Sequence, residues 1–516
     1  MNPTIATPPP PPHAVGELRG RDEPAGGARV STGVAGLDAI LGGGLTSHRV
    51  YLLEGTPGTG KTTFALRFLL EGVAQGERGL YITLSESSVE LRAVVASHGW
   101  SLDGIDVFEL LDEAGRDPDA EQSILYPSEV ELGETIGKIT AQIEQSAPSR
   151  IVFDSLSEMR LLAQDPLRYR RQVLALKQFF STRSCTVLLV DDKTSAPGDL
   201  QLHSICHGVI SLEQCVEEYG TESRRLRVIK MRGQKYQGGK HDFLLDTGRV
   251  AVFPRLVASQ HRPMHSQEQV STGTATLDTI LGGGLTRGTS TLLIGPTGVG
   301  KTTTAVSCMR AALLRGERTV LYLFDEGLPT LLLRSRKLGL DLDPFLATGQ
   351  CRIASVDPAE LSTGEFSSLL IDAVKRDGAS FVAIDSLNAY LQAMPGRSFL
   401  MLHMHELLTF LNHQGVTTML VVGQHGAVGP VRTEIDLSYL SDATLMYRFF
   451  EAQGAVRSAI TALKSRVSHN ERTIREFRLS EESGLQVGAP LADFEGVLSG
   501  LARYGGATRM MSDDEE

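Results

Sequence analysis

The chain carries one stretch of its sequence twice. Residues 31–46 read STGVAGLDAILGGGLT, and residues 271–286 read STGTATLDTILGGGLT. The two copies differ only at Val34, Gly36 and Ala39, each of which is replaced by threonine in the second copy. In a chain of 516 residues, which is long enough for several domains, this repeat predicts two domains of the same fold.

A glycine-rich loop follows each copy. Residues 55–62 read GTPGTGKT and residues 295–302 read GPTGVGKT, and both fit the phosphate-binding P-loop pattern G-x-x-x-x-G-K-S/T. The glycines let successive backbone N–H groups point at phosphate oxygens, the lysine reaches the β- and γ-phosphates, and the last hydroxyl is offered to Mg²⁺. The loop residues predicted to bind nucleotide are Gly58, Thr59, Gly60, Lys61, Thr62, Thr63, Gly298, Val299, Gly300, Lys301, Thr302 and Thr303.

Each loop lies between an apolar, strand-like run and a helical pattern, which is the context that the motif requires. The runs are Val50–Leu53 and Thr291–Ile294, and the helical patterns are Phe64–Gly72 and Ala305–Leu314. A helix N-terminus behind the loop adds its dipole to the binding of phosphate. The sequence therefore predicts two nucleotide sites, with ATP and Mg²⁺ as cofactors.

Strand-like and helical patterns alternate in both halves, and one apolar strand in each half ends in Asp-Ser: Arg150–Asp154 and Phe381–Asp385. This is the Walker B pattern, whose carboxylate helps to hold Mg²⁺. The predicted metal-site residues are Thr62, Asp154, Thr302 and Asp385. Near-continuous apolar strands alternating with helices predict an α/β fold, with a mostly parallel sheet flanked by helices in each half and a β-rich part at the C-terminal end of each half.

A glutamate stands at the end of the next strand-like run in each half. Glu86 and Glu326 lie at the same distance beyond their P-loop lysines. Hydrolysis needs a group that orients the attacking water, and a carboxylate at this strand end can do so. A single glutamate here could equally interact with the dipole of the helix that follows. Its recurrence in both halves favours catalysis.

A Lys-x-Arg pattern also recurs late in each half, at residues 230–232 and 464–466. Alternate positions on a strand face the same side, so both cations of a pair point in one direction. In ring-forming P-loop ATPases such cations enter the nucleotide site of the neighbouring subunit. The alternative is a solvated edge strand whose charges prevent aggregation. The repetition favours the first interpretation.

The order of these motifs resembles that of the KaiC family of circadian clock proteins over residues 28–500. The motifs are the repeated stretch at 31–46 and 271–286, the P-loops, the strands that end in Asp-Ser and the Lys-x-Arg strands. The resemblance implies two tandem RecA-like P-loop domains, stacked as rings in a homohexamer with ATP between subunits. It also implies slow ATP hydrolysis in the first half and serine/threonine autophosphorylation in the second. The residues that match the family's other nucleotide-binding positions are Ser97, Lys230, Arg232, Lys464 and Arg466.

The resemblance to the family also implies catalytic roles for the acidic residues at these strand ends. The second half keeps an acidic pair at Asp325-Glu326, so Asp325 is the predicted base of the kinase and Glu326 supports it. The first half has Ser85-Glu86 instead, which leaves Glu86 as its water-positioning candidate.

The predicted phosphorylation sites depart from the family. Its adjacent serine–threonine pair falls at Ser438-Tyr439, so Ser438 is the predicted site and Thr433 a minor one. The family's long C-terminal segment is shortened here to Tyr504–Glu516. The resemblance therefore gives no basis for regulation by the family's stimulatory partner, or for timekeeping.

The domain boundaries follow from composition. Residues 1–27 include five consecutive prolines and predict a disordered tail, 28–256 the first domain, 257–268 a linker, 269–500 the second domain with autokinase activity, and 501–516 an acidic tail. Five cysteines without metal-ligand spacing fit a reducing cytoplasm. No apolar run is long enough to span a membrane, and no signal-peptide pattern is present.

Three functions remain open at this level. The leading hypothesis is an ATP-hydrolysing, autophosphorylating hexamer in signalling. A RecA-like DNA-dependent recombinase or helicase is opposed by the net charge of −11, because binding to nucleic acid usually requires a basic face. A nucleotide-gated scaffold that recruits a sensor kinase or another signalling protein, with little turnover, is weakened by the intact Lys61, Lys301, Glu86 and Glu326.

Overall fold

The structure is a computed structural model. It describes residues 27–110, 127–163, 165–193, 201–216, 222–258, 268–393, 397–424, 438–467, 469–481, 484–499 and 502–505. Most of the two predicted tails and of the predicted linker lie outside these ranges. No helix within them is both long enough and apolar enough to cross a membrane.

The first half alternates strands and helices before it ends in strands alone. Its strands are β1 (Arg29–Val30), β2 (Leu45–Thr46), β3 (Val50–Gly55), β4 (Gly79–Thr83), β5 (Ile105–Glu109), β6 (Arg150–Asp154), β7 (Thr186–Asp191), β8 (Gly208–Cys215), β9 (Ser223–Met231), β10 (Lys240–Asp246) and β11 (Arg249–Phe253). Its helices are α1 (Ala35–Ile40), α2 (Lys61–Ala74), α3 (Ser88–Ser97), α4 (Pro127–Ser146), α5 (Leu156–Ala163), α6 (Pro166–Ser181) and α7 (Gln201–Ile205).

The second half repeats this order. Its strands are β12 (Gln269–Val270), β13 (Leu285–Thr286), β14 (Ser290–Pro296), β15 (Arg318–Leu323), β16 (Cys351–Ser355), β17 (Ala379–Asp385), β18 (Thr417–Gln424), β19 (Ala443–Ala452), β20 (Ala455–Ser465), β21 (Arg475–Ser480), β22 (Gly484–Pro490), β23 (Phe494–Glu495) and β24 (Arg503–Tyr504). Its helices are α8 (Ala275–Ile280), α9 (Lys301–Leu314), α10 (Leu328–Lys337), α11 (Asp343–Ala347), α12 (Thr363–Lys375), α13 (Leu387–Ala393), α14 (Arg397–His413) and a short 3₁₀ helix (Ser438–Leu440).

Within the described residues, each half builds one sheet of nine strands. The orders are β11-β10-β9-β8-β3-β7-β6-β4-β5 and β16-β15-β17-β18-β14-β19-β20-β21-β22. The strands from β8 to β5 in the first order pair in parallel, and β9, β10 and β11 are added antiparallel. The second sheet has the same division. The predicted fold class, with tandem parallel sheets and β-rich C-terminal parts, is confirmed.

The central strands are apolar because helices cover both of their faces. Strands β3, β4, β6 and β7 are buried along their whole length. Successive residues enter opposite cores: Tyr51 and Leu53 pack into one, and Leu52 into the other. Parallel sheets of this kind present the carboxyl ends of their strands at one edge, and both P-loops start there.

In the repeated stretch at the start of each half, an aspartate of the first helix hydrogen-bonds to the Ser-Thr segment that precedes it. Asp38 accepts hydrogen bonds from the hydroxyl of Ser31 (2.6 Å) and the backbone N–H of Thr32 (2.8 Å). Asp278 accepts the same pair of bonds from Ser271 (2.5 Å) and Thr272 (2.7 Å). The sequence identity between the two copies therefore preserves a local fold that precedes each nucleotide site.

The two halves contact each other through β10 of the first and α12 of the second. Asp242 accepts hydrogen bonds from the hydroxyl of Thr363 (3.0 Å) and from the N–H of Gly364 (2.8 Å), at the start of α12. A carboxylate at a helix N-terminus is stabilised by the free N–H groups and by the dipole of the helix. Leu256 extends the contact, since it packs in the core of the second half.

Candidate nucleotide-binding sites

Each P-loop connects a central strand to the helix behind it, β3 to α2 and β14 to α9. Gly58 and Gly60 have φ angles of 84° and 92°, in the left-handed region that favours glycine. A Cβ atom at Gly60 would lie 2.2 Å from a methyl group of Leu245, so β10 also leaves no room for a side chain there. Gly300, with φ at 104°, packs against Phe477 in the same way.

The other loop residues fall into two groups. Thr62 and Thr302 lie on the first turns of α2 and α9, next to the lysines. Some side chains of the predicted set are instead buried in the protein: those of Thr59, Thr63, Val299 and Thr303. In this second group, contact with a phosphate would be made by the backbone N–H, and that of Thr59 donates to the carbonyl of Thr56 (3.3 Å) in this structure.

The predicted metal-site residues of the first half lie together. The hydroxyl of Thr62 donates to the Asp154 carboxylate (3.2 Å), and the hydroxyl of Tyr81 donates to the same oxygen (2.5 Å). Burial raises the pKa of Asp154, although these two bonds oppose the rise. Hydroxyl and carboxylate oxygens are the donors that Mg²⁺ prefers, so this pair fits the ion that the motif implies.

The second half repeats the pair with Thr302 and Asp385. Burial raises the pKa of Asp385, and a hydrogen bond from Thr302 opposes the rise. The peptide bond after the aspartate is cis in both halves, at Asp154-Ser155 and Asp385-Ser386. The two candidate metal sites therefore share the threonine–aspartate pair, whereas the bond from Tyr81 belongs to the first site, because the matched residue of the second is Leu321.

The two P-loop lysines have different partners. Lys61 donates to the carbonyl of Thr56 (3.0 Å) and forms an ion pair with Asp192 (2.8 Å). Lys301 donates to the carbonyls of Gly295 (2.8 Å) and Pro296 (2.6 Å). Burial lowers the pKa of Lys301 to about 8.

Glu86 lies at the rim of the first metal site. Burial raises its pKa, and the carboxylates of Asp154, Glu90 and Asp192 raise it further. Its Oε2 atom is buried, and no hydrogen-bond donor reaches that atom from the described part of the chain. A half-buried carboxylate with a raised pKa is suited to take a proton from water, and no donor competes for Oε2 within the described residues.

The acids at the matched strand end of the second half are both engaged. Glu326 is held by Arg334 of α10 through two parallel hydrogen bonds, of 2.7 and 2.8 Å. Asp325 accepts a hydrogen bond from the hydroxyl of Ser386, next to the Walker B aspartate. The first half therefore has one carboxylate at this strand end and the second half has two, and both carboxylates of the second half accept hydrogen bonds from other side chains.

The Lys-x-Arg pair of the first half lies away from the P-loop of its own chain. Lys230 and Arg232 donate to the carbonyls of His203 and Ser204 in α7, the latter at 2.9 Å. Met231, between them, pairs with Gly208 at the start of β8. This is the edge of the sheet opposite to the one where the P-loop begins.

The second pair makes matching contacts. Lys464 donates to the carbonyl of Ser441 (2.7 Å) and Arg466 to the carbonyl of Tyr439 (3.4 Å). Arg466 also lies 3.8 Å from the carboxylate of Asp442. In both halves the cations contact the short helix that precedes the last parallel strand, β8 or β19, or the residues between that helix and the strand.

Ser97 and the predicted phosphorylation sites complete the predicted set. Ser97 is exposed in the last turn of α3, where its hydroxyl donates to the carbonyl of Val94 (2.7 Å). The backbone of Ser438 begins the 3₁₀ helix, at the same edge of the sheet as Arg466. Thr433 lies outside the described residues.

Sequence reasoning missed Tyr81, Asp192 and Arg334. Asp192 follows an apolar strand directly, and the rule that carboxyl ends of parallel strands meet at the ligand site could have found it. Tyr81 and Arg334 gave no such signal, because one reads as a core residue of a strand and the other as a basic residue on the surface of a helix.

Comparison with known proteins gives consistent matches. The family model "ATPase: KaiC" matches the chain twice, over residues 30–257 and 270–492. The circadian clock protein KaiC2 of Synechocystis sp. is 31% identical to it, over 92% of this chain and 83% of that protein. KaiC3 of the same organism is 26% identical, over 92% of this chain and 95% of that protein. The circadian clock oscillator protein KaiC of Prochlorococcus marinus is 27% identical, over 94% of this chain and 97% of that protein.

The family model accounts for most of the chain, and its two matches coincide with the two sheets and their P-loops. The resemblance read from the motifs is thus confirmed. The chain belongs to the KaiC family, and it carries two KaiC-type ATPase domains that bind ATP.

Proposed function

We propose that this protein hydrolyses ATP and phosphorylates itself as a homohexamer, in a signalling or clock-type role, with ATP bound between subunits. The two ATPase domains extend over residues 28–256 and 269–500. The output partner is a signalling protein such as a sensor kinase. The five cysteines are free and mostly buried, which is consistent with a reducing cytoplasm.

The observation that carries the proposal is the separation between each P-loop and the Lys-x-Arg pair of its own half. Met231 pairs with Gly208, which pairs with Tyr51, whereas the P-loop begins at Gly55. At about 3.3 Å per residue, this offset places the cations roughly 13 Å from the P-loop along the strand, before the lateral separation is added. Cations this far from the P-loop of their own half would serve a nucleotide only if it is bound by another subunit, which supports the proposed intersubunit sites.

Hydrolysis in the first half is assigned to Glu86. Its raised pKa, and an Oε2 atom to which no donor in the described structure bonds, suit a base that orients water and accepts its proton. Thr62 and Asp154 would hold Mg²⁺, which neutralises charge on the phosphates when it is bound. Lys61 and the N–H groups of the P-loop orient the phosphates of the nucleotide.

Autophosphorylation is assigned to the second half. Asp325 is the proposed base, and Glu326 supports it from the adjacent position. Ser438 is the proposed acceptor, because Arg466 contacts the backbone of its neighbour Tyr439 and so links the acceptor segment to the proposed intersubunit edge. Tyr439 carries its hydroxyl at the far end of a rigid ring, where a site shaped for serine would hold it out of line. Thr433 is a proposed minor site.

Sedimentation velocity tests the assembly. We expect a hexamer in saturating Mg·ATP and smaller species without nucleotide, because a ligand that binds only the assembled state stabilises that state. Arg232→Ala combined with Arg466→Ala should weaken the hexamer. A wild-type protein that stays monomeric in saturating Mg·ATP would exclude the ring.

A phosphosite map by mass spectrometry tests the kinase assignment. The wild type is incubated with Mg·ATP beside Ser438→Ala, and Asp325→Asn serves as the variant without the proposed base. We expect most of the phosphate on Ser438, little on Thr433 and none on Tyr439. Equal labelling of wild type and Ser438→Ala, or label mainly on Tyr439, would show that the acceptor has been misidentified.

A further inference from the structure

The P-loop lysine of the first half is paired with a carboxylate from a neighbouring strand. Asp192 comes directly after β7, which lies next to β3 in the sheet, and its Oδ1 atom is 2.8 Å from Nζ of Lys61. The lysine side chain is 7% exposed and the aspartate side chain 30%. The contact is therefore an ion pair at the mouth of the nucleotide site.

Asp192 is held in this position by other groups. The hydroxyl of Ser157 donates to its Oδ2 atom at 2.8 Å. Partial burial raises its pKa, but the hydrogen bonds from Lys61 and Ser157 outweigh this and keep the pKa below its usual range. The carboxylate is thus charged at neutral pH and directed at the lysine.

The second half has no carboxylate at the matched place. In the first sheet Glu54 pairs with Asp191, so Asp192 lies beside Gly55, the first residue of the P-loop. In the second sheet the first residue of the P-loop, Gly295, pairs with Gly423. Gly423 therefore occupies the place that Asp192 has in the first half. The partners agree with this match, because Asn388 follows Asp385 as Ser157 follows Asp154, and it bonds the backbone of Gly423 in both directions, at 2.9 and 3.1 Å. Lys301 correspondingly makes its bonds to backbone carbonyls.

A carboxylate on the P-loop lysine opposes the binding of phosphate in two ways. An ammonium group has three N–H donors, and on Lys61 one is taken by Thr56 and one by Asp192. The negative charge of Asp192 also repels the phosphates that the same lysine attracts. Two donors of Lys301 are also taken, by the carbonyls of Gly295 and Pro296, so among the described residues it is the charge of Asp192 that distinguishes the first site.

We propose that Asp192 competes with nucleotide phosphate for Lys61 and thereby makes the first site bind nucleotide more weakly than a site without this carboxylate. The proposal rests on the assignment of both P-loops as nucleotide sites. It goes beyond that assignment because the carboxylate beside Lys61 makes the affinities of the two sites for nucleotide differ. Asp192 is a positioning residue here, since it acts on the nucleotide through Lys61.

Binding of the fluorescent nucleotide mant-ADP, with Mg²⁺, tests the proposal on the full chain. Lys301→Ala removes the second site, so that only the first site reports. In this background, Asp192→Asn keeps the shape of the side chain and removes its charge. We expect the dissociation constant to fall about tenfold, the low end of the effect that one neighbouring charge has on an ionisable group. Binding that is unchanged or weaker overturns the proposal.

The second site supplies a reciprocal variant. Gly423→Asp introduces the carboxylate into a Lys61→Ala background, and among the described residues other than its chain neighbours no atom lies within 4 Å of a Cβ atom at Gly423. We expect mant-ADP to bind about tenfold more weakly. If Asp192→Asn does not fold, as judged by circular dichroism, this variant decides alone: tenfold weaker binding supports the proposal and unchanged binding overturns it. A wild type that binds no mant-ADP at either site would instead overturn the assignment of the nucleotide sites.

Discussion

Arg334 should restrain hydrolysis in the second half, and its removal should increase the rate. The guanidinium holds both oxygens of Glu326 through bonds of 2.7 and 2.8 Å, so neither oxygen is available to take a proton from water. The matched helix position in the first half is Val94, which packs on the core and leaves Glu86 open. We predict that Arg334→Val gives Glu326 the freedom that Glu86 has.

The size of the effect follows from the exposure of the pair. Two unit charges 4 Å apart interact with about 4 kcal/mol at the effective dielectric constant of a protein surface, but solvation and side-chain entropy reduce the net value for exposed pairs to about 1 kcal/mol or less. The side chains of Arg334 and Glu326 are 39% and 22% exposed, so the upper end of that range applies. A release of about 1 kcal/mol corresponds to roughly a fivefold increase in rate.

Phosphate release measures this prediction. The Lys61→Ala background confines turnover to the second site, and Arg334→Val is compared with its parent at saturating ATP. The matched control is Val94→Arg in a Lys301→Ala background, which should slow the first site about fivefold by pairing with Glu86. A rate that is unchanged or lower in Arg334→Val, with nucleotide binding intact, would refute the reasoning.

Three further predictions concern the first half. Glu86→Gln in a Lys301→Ala background should slow phosphate release by about 10² while mant-ADP still binds, since the amide keeps the shape but cannot accept the proton; an unchanged rate would place the base elsewhere. Because burial and nearby carboxylates raise the pKa of Glu86, and a base acts in its deprotonated form, first-site hydrolysis should rise with pH along a limb whose midpoint lies above 4.5. Asp192→Asn removes one of those charges and should move this midpoint to lower pH, whereas a midpoint at or below 4.5 in the parent would contradict the assignment. Arg150→Met should lower the free energy of unfolding by about 3 kcal/mol in guanidinium denaturation, because the buried guanidinium pairs with Glu77 and bonds two backbone carbonyls; a loss below about 1 kcal/mol would contradict this.

The local patterns of the sequence were sufficient for the fold. Apolar strands buried on both faces read as continuous hydrophobic runs, and the glycines of each P-loop occupy backbone conformations that other residues adopt only with strain. The Thr62–Asp154 pair was also predictable, because the P-loop helix begins, and the Walker B strand ends, at the same edge of a parallel sheet.

The difference between the two sites was decided by the tertiary structure. Glu86 and Glu326 occupy matched positions in the sequence, yet one is open and the other is fixed by an arginine two helical turns further along. Lys61 and Lys301 belong to the same motif, yet only Lys61 meets a carboxylate across the site in the described structure. The strand order is the same in both sheets, and it places Asp192, directly after β7, beside the P-loop that follows β3, and Gly423 of β18 beside the P-loop that follows β14. The physical reason for the difference is therefore that the strand beside each P-loop brings a carboxylate to one site and a glycine to the other. Periodicity and motif spacing define each strand and loop by itself, whereas the charge that a strand end presents to a neighbouring loop depends on which strands pack side by side.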